Sequence, residues 1–503
     1  MKKLSTIALI AFTVLMSACG QKDPGLKDAY KNYFKIGVAV TPRNVTDSLQ
    51  ASIILKEFNS ITAENCMKPG EIHPQPGVWN FAQADAIANF CREHGIKMRG
   101  HCLVWHSQFA NWMFNKYDEN GNQVVERDEN GDTIWVEQPA RGGFGGFGGG
   151  FGGFGGFGGG APQGGQRPQG APQGGQRPQG QGGFGGFGGQ RPQGQAQGQA
   201  PQMTKVPKYA KATKEEFYDS LRAHIQVVVN RYKDVVYCWD VVNEAMSDGN
   251  NPDVPYEQSF RQSTAYQLCG DEFILKAFQF AHEADPNAGL FYNDYSAWTP
   301  AKRTYIYNMV KKLQSEGAPI TGIGMQGHYN IYDNPTIEDF EKAIQMYLEL
   351  VDDIQITEFD VRINHEAGGQ LQFSRGEGQV LTDSIAQLQM AKYDELFKVL
   401  RKYKKNFSCV TFWNLGDRDS WLGANNFRCC LTVSTTVRLF TTLFATSRSN
   451  QYLVLIKNPR NPKFRGFLLC DSVGIRTQDP QLRRLLLYPA ELRSHPFSGC
   501  KNS

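Results

Sequence analysis

The chain has 503 residues, room for two or three average domains or for one long α/β barrel. A net charge of +4 argues against a polyanion-binding protein, but the charge is unevenly placed. Residues 428–503 carry 12 Lys/Arg against 3 Asp/Glu, a net of +9, which leaves −5 for the rest, ordinary for a soluble enzyme.

Residues 1–18 read as an export signal. A basic start (Lys2, Lys3) precedes an apolar run from Ile7 to Met16 and the small residues Ser17 and Ala18. The run is too short to span a bilayer. Leu15-Met16-Ser17-Ala18-Cys19 resembles a lipobox, so Cys19 is the expected lipidation site, with 19–28 as a tether. The expectation is an exported, lipid-anchored protein. Of the eleven cysteines, six lie scattered through the body, several in apolar stretches where Cys acts as a small hydrophobe. No Cys-x-x-Cys pair points to a metal or redox site. A disulfide among them stays open.

From Phe34 onward short apolar strands alternate with helical stretches, the pattern of a parallel α/β fold. The expected strands are 34–40, 60–63, 97–103, 235–242, 289–292, 321–325, one from 354 that ends at Glu358, and 407–412. Eight such units predict a (β/α)₈ TIM barrel over 29–427. Asn80 reads as an N-cap, Gly95 as a helix stop, and Thr213 to Glu216 as a capping box. Between the third strand and its helix, residues 117–136 hold two Asp-Glu-Asn-Gly copies, which suggest a hairpin or exposed loop. Residues 142–200 are nearly all Gly, Gln, Pro, Phe, Ala and Arg, with three Gln-Arg-Pro-Gln-Gly copies. Such a segment buries too little apolar surface to offset its chain entropy and is expected to be disordered. It reads as a tolerated insertion, or as a tether, wall-associating or weak RNA-binding tract.

Two strands end in acids of the same form: Trp239-Asp240-Val241-Val242-Asn243-Glu244 and Ile354-Gln355-Ile356-Thr357-Glu358-Phe359-Asp360. One rim of a parallel barrel is where catalytic groups gather. A pair of carboxyls there, one protonated and one ionised, suits glycosidic bond cleavage. Other strands end in Glu64-Asn65, His101 to His106, Asn293-Asp294-Tyr295, Gln326-Gly327-His328 and Trp413-Asn414.

These motifs together closely resemble glycoside hydrolase family 10, the endo-β-1,4-xylanases, from about Ala29 to Phe427 without the insertion. The resemblance implies a retaining mechanism on xylan and xylo-oligosaccharides, with no cofactor, no metal and no nucleic acid. It makes Glu244 the acid/base and Glu358 the nucleophile. Asn243 would hold the sugar 2-hydroxyl, and His328, steadied by Asp360, would bond Glu358. Glu64, Asn65, Lys68, His101 and Gln326 would bind sugar. Trp105, Trp413 and Trp421 would pack on sugar faces, with Gln108 and Tyr295 as weaker contacts. Trp413 near C5 would exclude a hexose. His106, Asn293 and Asp294 are left open. A monomer is expected. A retaining glycosidase on another β-glycan and a catalytically impaired xylan-binding lipoprotein stay as alternatives. After Phe427 the pattern breaks, and residues 428–503 read as an atypical tail, possibly out of frame, in place of a closing helix.

Overall fold

The computed structural model describes residues 25–139, 203–332, 334–363 and 382–416, together with three short strands within 451–476. The expected signal, Cys19, the Gly-rich insertion and Trp421 lie outside the described residues. Two compact units are present, Val124–Ala210 and the remainder of the chain.

The larger unit is built on a parallel sheet of β1 (Lys35–Val40), β2 (Ser60–Ala63) and β3 (Lys97–Trp105). The smaller unit contributes an antiparallel hairpin, β4 (Trp135–Pro139) with β5 (Met203–Pro207). The barrel resumes with β6 (Val236–Asn243), β7 (Gly289–Asp294) and β8 (Gly322–Met325). Then come the short β9 (His328–Asn330), β10 (Asp353–Arg362) and β11 (Phe407–Phe412). The order is β1-β2-β3-β6-β7-β8-β10-β11, and β11 pairs in parallel with β1. The sheet therefore closes on itself as an eight-stranded barrel with helices in the connections, as the alternation predicts. β12 (Gln451–Asn458), β13 (Asn461–Asp471) and β14 (Gly474–Arg476) form a separate antiparallel sheet.

Strand alternation divides the residues. Gly100 and Trp239 are register partners on neighbouring strands, and a Cβ at Gly100 would run into the Trp239 ring. On the other face Arg99 and His101 pair with Cys238 and Asp240. There Arg99 grips Asp240 with two hydrogen bonds and donates through Nε to Gln355 across the barrel at 2.8 Å. The charges are fully buried, so they must be paired. Outside the barrel, helices seat apolar stripes on the sheet; Leu221, Ile225, Val228 and Val229 of helix Lys214–Tyr232 are all buried. That helix opens with the expected box: Thr213 Oγ1 accepts from Glu216 N at 3.2 Å and Glu216 Oε2 accepts from Thr213 N at 2.9 Å.

Two expectations need correction. The helix after β2 spans Ala82–His94, so Asn80 does not cap it; its side chain donates instead to the Glu71 carbonyl. The stop at Gly95 stands, at φ +65°. The seventh barrel strand does not end at the acid: β10 runs on to Arg362, because Asp360 to Arg362 pair with β9. Glu358 is therefore held inside a strand. The six body cysteines are free and buried.

Candidate active site

Glu244 stands one residue past β6, and its backbone is left-handed at φ +58°. For a non-glycine residue that conformation costs about 1–2 kcal/mol. It persists because its surroundings hold it. The Glu244 N–H donates to Asn293 O at 2.9 Å, and its carbonyl accepts from Arg261 Nε at 3.2 Å. The turn aims the carboxylate into a polar rim. Oε2 accepts from Trp105 Nε1 at 2.8 Å, and Oε1 accepts from Gln326 Nε2 at 2.8 Å and Asn243 Nδ2 at 3.2 Å.

Glu358 is 5% exposed and extended within β10. Its N–H donates to Gln326 O at 2.6 Å. Oε1 accepts from Asn293 Nδ2 at 3.0 Å and Oε2 from His328 Nε2 at 3.1 Å. The other ring nitrogen of His328 faces Asp360 Oδ2 at 2.9 Å. Burial disfavours the imidazolium, but the Asp360 carboxylate and then Glu358 outweigh it and lift the His328 pKa to about 9. Burial would also push the Glu358 carboxyl up, yet the hydrogen bond of His328 and then the charges of His101 and His328 bring it below its ordinary value. Glu358 is thus held ionised.

The two acids are joined through amides. Asn293 Nδ2 donates both to Glu358 Oε1 and to Asn243 Oδ1 at 2.9 Å, and Asn243 in turn donates to Glu244. Asn293 Oδ1 accepts from Thr357 Oγ1 at 2.6 Å. Gly324 leaves the room for this, since a Cβ there would strike the Asn293 amide and the Thr357 methyl. Asn293 is the central link, and the sequence alone left it open. Its signal was its position at the end of β7.

The remaining candidates form one flank. His101 is buried, and its Nδ1 faces Asp240 Oδ2 at 2.8 Å; its ring meets Trp413 edge-on at 5.3 Å. Lys68 donates to Asn65 Oδ1 at 2.7 Å and places its ammonium 4.7 Å from the centre of the Trp105 ring. Glu64 is buried beside them in sequence, and Asn65 is exposed. Trp105 is thus tied at its N–H to Glu244 and covered by Lys68. Gln108 buries its Oε1 with no hydrogen bond among the described residues. Tyr295 is committed elsewhere: its hydroxyl accepts from Arg261 at 2.7 Å and donates to Asp248. A cavity of about 220 Å³ is lined by Glu244 together with Val104, His106, Phe109, Arg261 and Thr264 among others. Among the described residues no His/Cys/Asp/Glu group is arranged to hold a metal ion, and no helix is long and apolar enough to cross a membrane.

Comparison with known proteins bears on the family and the fold. The profile of glycosyl hydrolase family 10 matches residues 25–130 and 198–440, past the break placed after Phe427. The chain is 46% identical over 438 residues to the endo-1,4-beta-xylanase/feruloyl esterase of Xylanibacter ruminicola, covering 84% of this chain and 48% of that protein. It therefore spans about half the length of that relative. It is 33% identical over 400 residues to endo-1,4-beta-xylanase B of Paenibacillus barcinonensis, covering 79% of this chain and 89% of that one. A solved psychrophilic glycoside hydrolase family 10 endo-beta-1,4-xylanase superposes with a TM-score of 0.59 at 43% identity, covering 82% of this chain and 95% of the other. A closed parallel barrel with two amide-linked glutamates at one rim, and a family match on both sides of the insertion, lead to one conclusion: the chain belongs to glycosyl hydrolase family 10.

Proposed function

We propose that the protein is a retaining endo-β-1,4-xylanase, with Glu358 as nucleophile and Glu244 as acid/base. The observation that carries the reading is the unequal setting of two linked carboxylates. Glu358 is clamped and ionised by His328, as a nucleophile requires. Glu244 is aimed across the Asn243–Asn293 bridge from it. In the first step a Glu358 oxygen attacks the anomeric carbon, the bond to the leaving sugar breaks, and the Glu244 proton passes to the leaving oxygen. In the second, Glu244 takes a proton from water, the water oxygen bonds to the anomeric carbon, and the bond to Glu358 breaks. The anomeric configuration is retained. Asn243 and Gln326 hold the sugar between the acids, His328 and Asp360 keep Glu358 charged, and Glu64, Asn65, Lys68 and His101 bind the flanking units. Trp413, beside His101, sets the room near C5. Xylan is supported as substrate by the names of the relatives.

The test is direct. The purified chain should release xylo-oligosaccharides from xylan and show no hydrolysis of carboxymethylcellulose. Failure to turn over an aryl β-xylobioside would leave a glycan-binding protein instead. Export, a lipid anchor at Cys19 and a monomeric state belong to the same proposal and rest on the N-terminal sequence and the family. Radiolabelled palmitate should enter the wild type and not Cys19→Ala.

A further inference from the structure

Glu244 adopts a backbone conformation that favours glycine, so something must over-determine it. Besides Arg261, holding groups come from β7 and the helix Pro300–Ser315 that follows it. The two N–H groups after Glu244, those of Ala245 and Met246, both donate to the hydroxyl oxygen of Tyr292, at 3.0 and 3.2 Å. That hydroxyl donates in turn to Asp294 Oδ2 at 2.6 Å. Asp294 Oδ1 faces Lys302 Nζ at 3.3 Å, and the same ammonium donates to the Met246 carbonyl at 3.2 Å. Tyr292 and Asp294 are fully buried and Lys302 is 2% exposed.

The chain of contacts begins and returns on the residues directly after Glu244, with one branch from Lys302 Nζ to Asp248 Oδ1 at 3.2 Å. Apolar side chains of similar volume often serve stability as well as a buried charged network does, so stability alone does not account for this one. The charges also sense the site. Burial pushes Asp294 up to about 6, Lys302 opposes, and the Glu244 carboxylate adds to the rise.

We propose that Tyr292, Asp294 and Lys302 are positioning residues that set the proton-bearing carboxyl of Glu244 against the leaving oxygen without touching substrate. The inference rests on the acid/base role given to Glu244 above. It separates from a merely structural brace by its dependence on the leaving group. A poorly leaving phenol needs the proton from Glu244, and a strongly acidic one does not.

The experiment measures kcat/KM of the full chain on phenyl and on 2,4-dinitrophenyl β-xylobioside, for wild type, Tyr292→Phe and Asp294→Asn. Each ratio comes from one preparation, so any loss of folded protein cancels. Tyr292→Phe keeps the ring and removes only the hydroxyl. In it the phenyl substrate should lose about 10-fold relative to the dinitrophenyl one, a part of the 10²–10⁴-fold that complete loss of general acid catalysis would cost. Asp294→Asn should move the ratio the same way. A ratio unchanged from wild type in Tyr292→Phe would overturn the inference while leaving the xylanase reading intact. Inactivity of the wild type on both substrates would remove that reading, and the inference with it.

Discussion

Strands β6 and β10 deliver the same side chain in opposite circumstances. At β10 the glutamate lies within a strand, extended, with an imidazole tied to a second carboxylate at its back. At β6 it lies beyond the strand on a left-handed residue, met by an indole N–H and two amides. The first arrangement favours charge. The second supplies neutral donors and a turn whose position depends on groups from β7. Two identical carboxyls thus stand in different surroundings, and an imidazole faces the one on β10.

The largest effect that tests this contrast is at Glu358. Glu358→Ala should lower kcat on xylan by about 10⁶-fold, as removal of a nucleophile does elsewhere. Azide should restore turnover of an activated xyloside with inverted product; undiminished hydrolysis would remove the assignment. Glu244→Ala should cost about 10²–10⁴-fold on xylan. Its kcat/KM on a dinitrophenyl substrate should stay near wild type, and an equal loss on both would mean the two acids do not divide the work. The third outcome concerns pH. The His328 pKa stands raised from 6.5 to about 9 in the folded chain. The stabilisation from its bound proton is therefore complete below pH 6.5 and disappears as pH rises through about 9. Thermal unfolding followed across that window should show a falling Tm that flattens in His328→Gln; parallel curves would count against the clamp. The smallest effect belongs to Trp105→Phe, which removes one donor to Glu244. About 1–2 kcal/mol of lost hydrogen bonding corresponds to roughly a 5- to 30-fold loss of kcat/KM on xylan. The His328-dependent change in Tm should be untouched.

Much of this was legible in order along the chain. The strand positions follow from β-branched and aromatic runs separated by helical periodicity, because each run must be covered on both faces. Rim residues such as Glu244, His101, Gln326 and His328 could be named because a parallel barrel puts every strand's end on one side. Less was legible at Asn293, where an amide at a strand end carries no mark of which carboxylates it will bridge. Trp105 could be assigned to the rim, but nothing nearby in sequence shows that Lys68 covers its ring and Glu244 takes its N–H. Asn80 misled because a good capping residue one position early matches the same pattern as a real cap.

What the sequence determined by itself is local: strand and helix periods, the Thr213 box, the Gly95 stop, and which residue types arrive at the rim. Those depend on neighbours within a few positions, where backbone sterics and side-chain spacing decide. What the tertiary structure decided is pairwise and long-range. Asn293 bonds Glu358 across 65 positions, Trp105 bonds Glu244 across 139, and Arg99 reaches Gln355 across 256. Barrel closure brings those groups together in a setting shielded from water, where charge and hydrogen bonding are strong enough to make one glutamate an anion and to hold the other in a costly turn.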